Sequence, residues 1–170
     1  QYDVTISGSD LTGFNGTIGL NLKAGQNITD LAGNALPTTE PTTDETYTLD
    51  NVAPSTTSFV RQTPTATPTN ADTLVFRATF SEAVANVDTG DFAVNGTTTA
   101  TVTNVAVVSA SQYDVTISGG DLAGFNGTVG LNLKAGQNIA DLAGNALPTT
   151  EPTTDETYTL ENVAPSVTSF

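Results

Sequence analysis

The side chains of this sequence that could do chemistry are almost all oxygen donors. Its 170 residues hold 18 Asp or Glu against four Lys or Arg, with no His, Cys, Met or Trp. Without imidazole or thiolate, neither a Ser-His-Asp nor a Cys-His nucleophilic site can be assembled, and zinc loses its usual ligands. A carboxylate pair for glycoside hydrolysis needs an aromatic-lined cleft, to which a chain without Trp is poorly suited. The chain is therefore not expected to be an enzyme. What remains is the coordination of a hard divalent cation, calcium above all, by six to eight carboxylate, amide and backbone oxygens.

Two groups of residues have the composition for it. Asp141 and Asn145, in Asp141-Leu-Ala-Gly-Asn145, are expected at the same pole of a domain as Glu161 and Asn162, beside the start of a following domain at Val163-Ala-Pro165. Asp30, Asn34, Asp50 and Asn51 hold the corresponding places earlier in the chain. These eight are the expected calcium ligands at domain junctions, where a short linker would let two domains share an ion. The change from Asp50 to Glu161 between the two sites keeps the carboxylate. A second acidic group, Glu82, Asp88 and Asp91, would face a junction from the opposite pole. Each group also has a plain structural reading: Asp141 caps a turn, Glu161 is solvated, and Asp88-Thr-Gly-Asp91 is ordinary turn composition. No EF-hand ladder of alternating acids is present.

The elements that must position these residues come as a repeat. Residues 1–59 return at 112–170 with an offset of 111, differing at six places only: Ser9/Gly120, Thr12/Ala123, Ile18/Val129, Thr29/Ala140, Asp50/Glu161 and Thr56/Val167. A period of 111 is too long for a solenoid and suits one autonomous domain. The expected division is 1–50 as the later part of one unit, 51–162 as a complete unit and 163–170 as the first strand of another. The start at Gln1 instead of Met fits an internal stretch of a longer array.

Within the complete unit, period-two alternation predicts strands over 73–80, 113–118 and 128–134, with Leu74, Phe76, Phe80, Val115, Ile117, Leu131 and Leu133 inward. Further β-rich runs lie at 55–61, 91–95, 99–109 and 157–160. The proline-punctuated stretches 63–70 and 148–154 read as loop and linker. About seven short strands with turn signals every 8–12 residues predict an all-β, immunoglobulin-like sandwich, with a small barrel as the alternative.

A net charge of −14, with only Lys23, Arg61, Arg77 and Lys134 as bases, argues against nucleic acid and against anionic membrane surfaces as partners. No run reaches the ~20 apolar residues of a spanning helix, so direct membrane insertion is not expected. The alternating Thr97, Thr99, Thr101 and Thr103 read as good β formers on a solvated face. Asn15, Asn95 and Asn126 begin Asn-Gly-Thr triplets and read as hairpin turns; Asn27 begins the fourth Asn-x-Thr.

Taken together, Leu74-Val-Phe-Arg-Ala-Thr-Phe-Ser-Glu-Ala-Val84, Tyr113-Asp-Val-Thr-Ile-Ser-Gly-Gly-Asp-Leu122, Asp141-Leu-Ala-Gly-Asn-Ala-Leu147 and Thr157-Tyr-Thr-Leu-Glu-Asn-Val-Ala-Pro165 resemble the bacterial Ig-like repeats of giant secreted or cell-surface adhesins. The resemblance covers the whole unit. It implies tandem, non-catalytic extender domains outside the cell, partnered by neighbouring repeats and in several members by junction calcium, in the service of cell adhesion and biofilm. A different expectation, from the partial units at both ends, is a self-assembling extracellular fibre or matrix subunit that exchanges strands or associates laterally with other copies.

Overall fold

The computed structural model describes residues 1–170. The chain divides into two compact units, Gln1–Val52 and Ala53–Phe170. Both are built of strands, and the helical content is three short 3-10 turns.

The first unit is sparse. Strands β1 (Gly16–Ile18) and β2 (Tyr47–Leu49) pair antiparallel with Gly16 opposite Leu49. A 3-10 turn spans Ser9–Thr12. Its apolar residues are largely exposed, Tyr2, Val4, Ile6, Leu20, Ile28 and Tyr47 among them.

The second unit carries ten strands: β3 (Thr56–Thr63), β4 (Thr73–Phe80), β5 (Val84–Ala85), β6 (Phe92–Asn95), β7 (Thr101–Ser109), β8 (Gln112–Ser118), β9 (Gly127–Leu133), β10 (Ala140–Asp141), β11 (Thr154–Asp155) and β12 (Tyr158–Leu160). A five-stranded sheet has the order β11-β3-β4-β8-β7, a three-stranded sheet the order β12-β9-β6, and β10 pairs with β5. Side chains from the two larger sheets meet in one core. Phe59 of β3 stands edge-on to Phe92 of β6 with ring centres 6.2 Å apart, and Phe76 of β4 edge-on to Tyr158 of β12 at 5.0 Å. Strand β4 alternates as its sequence requires, since Leu74, Phe76, Ala78 and Phe80 are buried while Val75, Arg77 and Thr79 are only partly so. All seven residues expected to point inward are buried.

Two departures from the sequence reading have tertiary causes. The Thr/Pro linker ends in strand β11, parallel to β3, because Glu156 anchors it: its N–H donates to Phe59 O at 2.9 Å and its carboxylate accepts from Arg61 N–H at 2.8 Å. Strand β6 begins at Phe92 and not at Asp91. Asp88 and Asp91 instead close a capping box around a 3-10 turn, Thr89–Asp91.

The pairings also define two poles. At one, Ser55 and Ser81 exchange hydrogen bonds and Asp141 stands opposite Val84. At the other, Thr73 pairs with Ser118 and Glu161 N–H donates to Thr69 O at 2.9 Å. The chain enters this unit at the first pole and leaves it at the second.

Candidate metal centre

Asp141 lies at the first pole, at the end of β10, and a local turn sets its geometry. Its Oδ1 accepts from the N–H of Ala143 at 2.9 Å and of Asn145 at 2.8 Å, and its Oδ2 accepts from Asn145 Nδ2 at 2.7 Å. In the first unit Asp30 makes the same three bonds, at 2.9, 2.9 and 2.8 Å, with Ala32 and Asn34. A turn that forms alike in an exposed and in a buried setting is dictated by Asp-x-Ala-Gly-Asn itself. Asp141 is buried, Asp30 exposed. Burial raises the Asp141 carboxyl, but the bonds from Asn145, Gly144 and Ala143 outweigh it and leave the group below its ordinary value. Asp30 is held low as well, chiefly by the Asn34 side chain. Both are carboxylates at neutral pH.

Half-buried Glu82 is brought to Asp141 by the β5–β10 pairing, and a carboxylate oxygen of one lies within 4.8 Å of an oxygen of the other. Two like charges at that spacing repel by about 3.5 kcal/mol or more at an effective dielectric of ~20, a cost that a bound divalent cation reverses. Within the second unit Glu82 and Asp141 are a pair of acids that could contribute to holding a metal ion. With only carboxylate, amide and backbone oxygens to offer, the group suits a hard cation rather than a thiophilic or imidazole-seeking one. Asp141 Oδ2, with one of its two lone pairs given to Asn145, keeps one for such an ion.

The remaining expected ligands are placed differently. Sequence reasoning sets Asp141 and Glu161-Asn162 at one pole of a unit; the fold separates them, because β12 runs away from the β5–β10 corner. At the second pole Glu161 Oε1 accepts from Val163 N–H at 2.9 Å, as Asp50 Oδ1 does from Val52 N–H at 3.0 Å. Asn162 ties the outgoing chain to the 122–126 loop, with Nδ2 to Phe125 O at 2.6 Å and N–H to Asn126 Oδ1 at 2.7 Å. Asn51 does the same with Phe14 and Asn15. Asp88 and Asp91 have structural work: Asp88 Oδ1 accepts from Gly90 N–H, and Asp91 accepts from Asp88 N–H at 2.7 Å and Asn138 N–H at 3.2 Å. Sequence reasoning grouped Glu82 with these two and missed its closeness to Asp141. The available signal was the pair of short apolar runs, Ala83–Ala85 and Ile139–Ala140, that flank the two acids and pair as β5 and β10.

No family model, curated protein or solved structure matches the chain.

Proposed function

We propose that this chain is a non-catalytic structural spacer, in which Ig-like β-sandwich units of about seven principal strands follow one another in a long extracellular or bacterial cell-surface adhesin, with calcium stiffening the junctions. The observation that carries the reading is the opposite placement of the two ends of the second unit. Ser55 enters beside Ser81, and Asn162 leaves beside Phe125 and Asn126. A repeat whose exit is remote from its entrance lengthens as units are added, and net charge of one sign opposes folding back. In the sequence Asp50, the closing acid of the first unit, lies a few residues before the second begins, and the first pole of that second unit holds the acids Glu82 and Asp141. This supports a junction site in which the ligands come from the end of one unit and the beginning of the next. Calcium is the cation chosen because every available ligand is a hard oxygen.

Calorimetric titration of the full chain with calcium tests the metal. The expected result is saturable heat, a raised melting temperature and a weaker response in Glu82→Gln; stabilisation reaches about 2.7 kcal/mol at a hundredfold excess over Kd. Absence of calcium-dependent heat and thermal shift in the parent would refute calcium here. Small-angle scattering of chains of one, two and four units tests the spacer, since a rod gains length in equal steps.

A further inference from the structure

We propose that the second unit resists tension along the chain through a shear clasp between its first strand, β3, and its closing strands, β11 and β12, with Arg61 at the centre. The chain enters the unit through β3 at the first pole and leaves it after β12 at the second. These two segments are joined directly, and they run in the same direction. Thr154 and Asp155 of β11 pair parallel with Ser58 and Phe59 of β3, and Leu160 of β12 bridges Thr69 in parallel. Along the same line Glu156 N–H donates to Phe59 O at 2.9 Å, Thr159 N–H to Thr67 Oγ1 at 2.8 Å, Thr69 N–H to Thr159 O at 2.9 Å and Glu161 N–H to Thr69 O at 2.9 Å.

Parallel pairing decides how a load is shared. Tension drawn through the chain pulls the entering strand towards the first pole and the leaving strand towards the second. Strands that run the same way must then slide along their common axis, so the bonds between them stretch together and none opens first. Antiparallel neighbours pulled from a shared end are instead peeled bond by bond, as β3 and β4 would be from the Ser55–Ser81 end.

Arg61 fastens the middle of the clasp. Its N–H donates to Glu156 Oε2 at 2.8 Å and one terminal guanidinium nitrogen donates to Thr157 O at 2.8 Å. The other terminal nitrogen lies 3.7 Å from Glu156 Oε1, and the guanidinium carbon stands 6.0 Å from the Tyr158 ring centre. One residue of the first strand thus holds three consecutive residues of the closing segment, which a planar, forked cation can do and a point charge cannot. Tyr158 is itself fixed to β4, with its hydroxyl donating to Val75 O at 2.8 Å and its ring edge-on to Phe76.

A spacer would meet such tension in use, but the clasp is measured without assuming one. The chain has no Cys, so paired substitutions place force handles at chosen points of the full chain. Ala53→Cys with Val163→Cys loads the clasp in shear, whereas Ala53→Cys with Ala83→Cys peels β3 from β4. Single-molecule force spectroscopy at one pulling speed reads the rupture force of each, and the first is expected to be at least about twofold the second, since forced unfolding follows the barrier met in the direction pulled. Arg61→Ala and, separately, Glu156→Ala should lower the shear force and leave the peeling force unchanged, because peeling opens at Ser55–Ser81 before it reaches Arg61. Arg61→Lys should restore little of the loss. Equal forces in the two geometries of the parent, or the same loss in both for Arg61→Ala, would overturn the clasp and leave rod-like spacing untouched. A compact multi-unit chain in scattering would overturn the spacer while the ratio of the two forces still upheld the clasp.

Discussion

Ile6 and Ile117 sit in identical heptapeptides, Gln-Tyr-Asp-Val-Thr-Ile-Ser, yet truncating them should have very different consequences. Ile117 is 0% exposed in the middle of β8, between Leu74 on β4 and Val102 on β7, while Ile6 is 47% exposed. Replacing Ile117 by Ala deletes three buried carbons, about 2.4 kcal/mol at ~0.8 kcal/mol for each. The strands on both sides are tied by backbone ladders and cannot collapse into the gap, so a cavity term raises the cost to about 3–4 kcal/mol. At roughly 4 °C per kcal/mol for a domain of this size, the melting temperature of the second unit should fall by ~12–16 °C. Ile6→Ala should change stability by no more than about 0.5 kcal/mol. Scanning calorimetry and guanidinium titration of the full chain read both values. Equal losses in the two variants, or a loss under about 1 kcal/mol for Ile117→Ala, would refute the assignment of the buried face.

Phe76→Ala, which removes the edge-on contact with Tyr158 at 5.0 Å, should cost about 3–5 kcal/mol by chemical denaturation. Gly120→Ser, the natural residue of the first copy placed in the second, should destabilise by ~1–3 kcal/mol, because its Cβ meets the Thr99 backbone; the shift of the denaturation midpoint measures it. Burial raises the Glu151 carboxyl most, and nearby Asp155 adds to this, against the Leu133 N–H that it accepts. Its folded value lies above the ordinary 4.5, so its contribution is full at lower pH and is lost as pH rises through the folded value. Glu151→Gln keeps an oxygen for Leu133, and should be more stable than the parent at pH 7 and equal to it near pH 4, as melting curves across that range would report.

Much of the second unit was legible. Period-two alternation in 73–80, 113–118 and 128–134 located three strands and their buried faces, because a strand with one face on a core must alternate. The acids of the candidate centre were visible as residue types, but their grouping was not. Glu82 and Asp141 lie 59 positions apart and meet only through a two-residue pairing between β5 and β10, too short to leave a pattern. Asp141 and Glu161, close in sequence and alike in chemistry, are parted by the run of β12. Strand β11 was hidden for a similar reason, since a Thr/Pro stretch becomes strand only where Glu156 fastens it to β3.

The near-identical copies separate local from non-local causes within one chain. The Asp30 and Asp141 turns agree bond for bond, as do the Asn51 and Asn162 ties, and the β1–β2 register of Gly16 to Leu49 equals the β9–β12 register of Gly127 to Leu160. Each needs only partners contained in its own copy, so composition and spacing suffice. Residues 1–7 and 112–118 are the same seven letters, yet only the second set is a strand. A β-strand has no internal hydrogen bonds to hold it; β8 exists because β4 and β7 supply donors, acceptors and an apolar cover on both sides. Burial of Tyr113, Ile117 and Tyr158, and the meeting of Glu82 with Asp141, belong to that second class, decided by which strands are present to pack and not by the residues themselves.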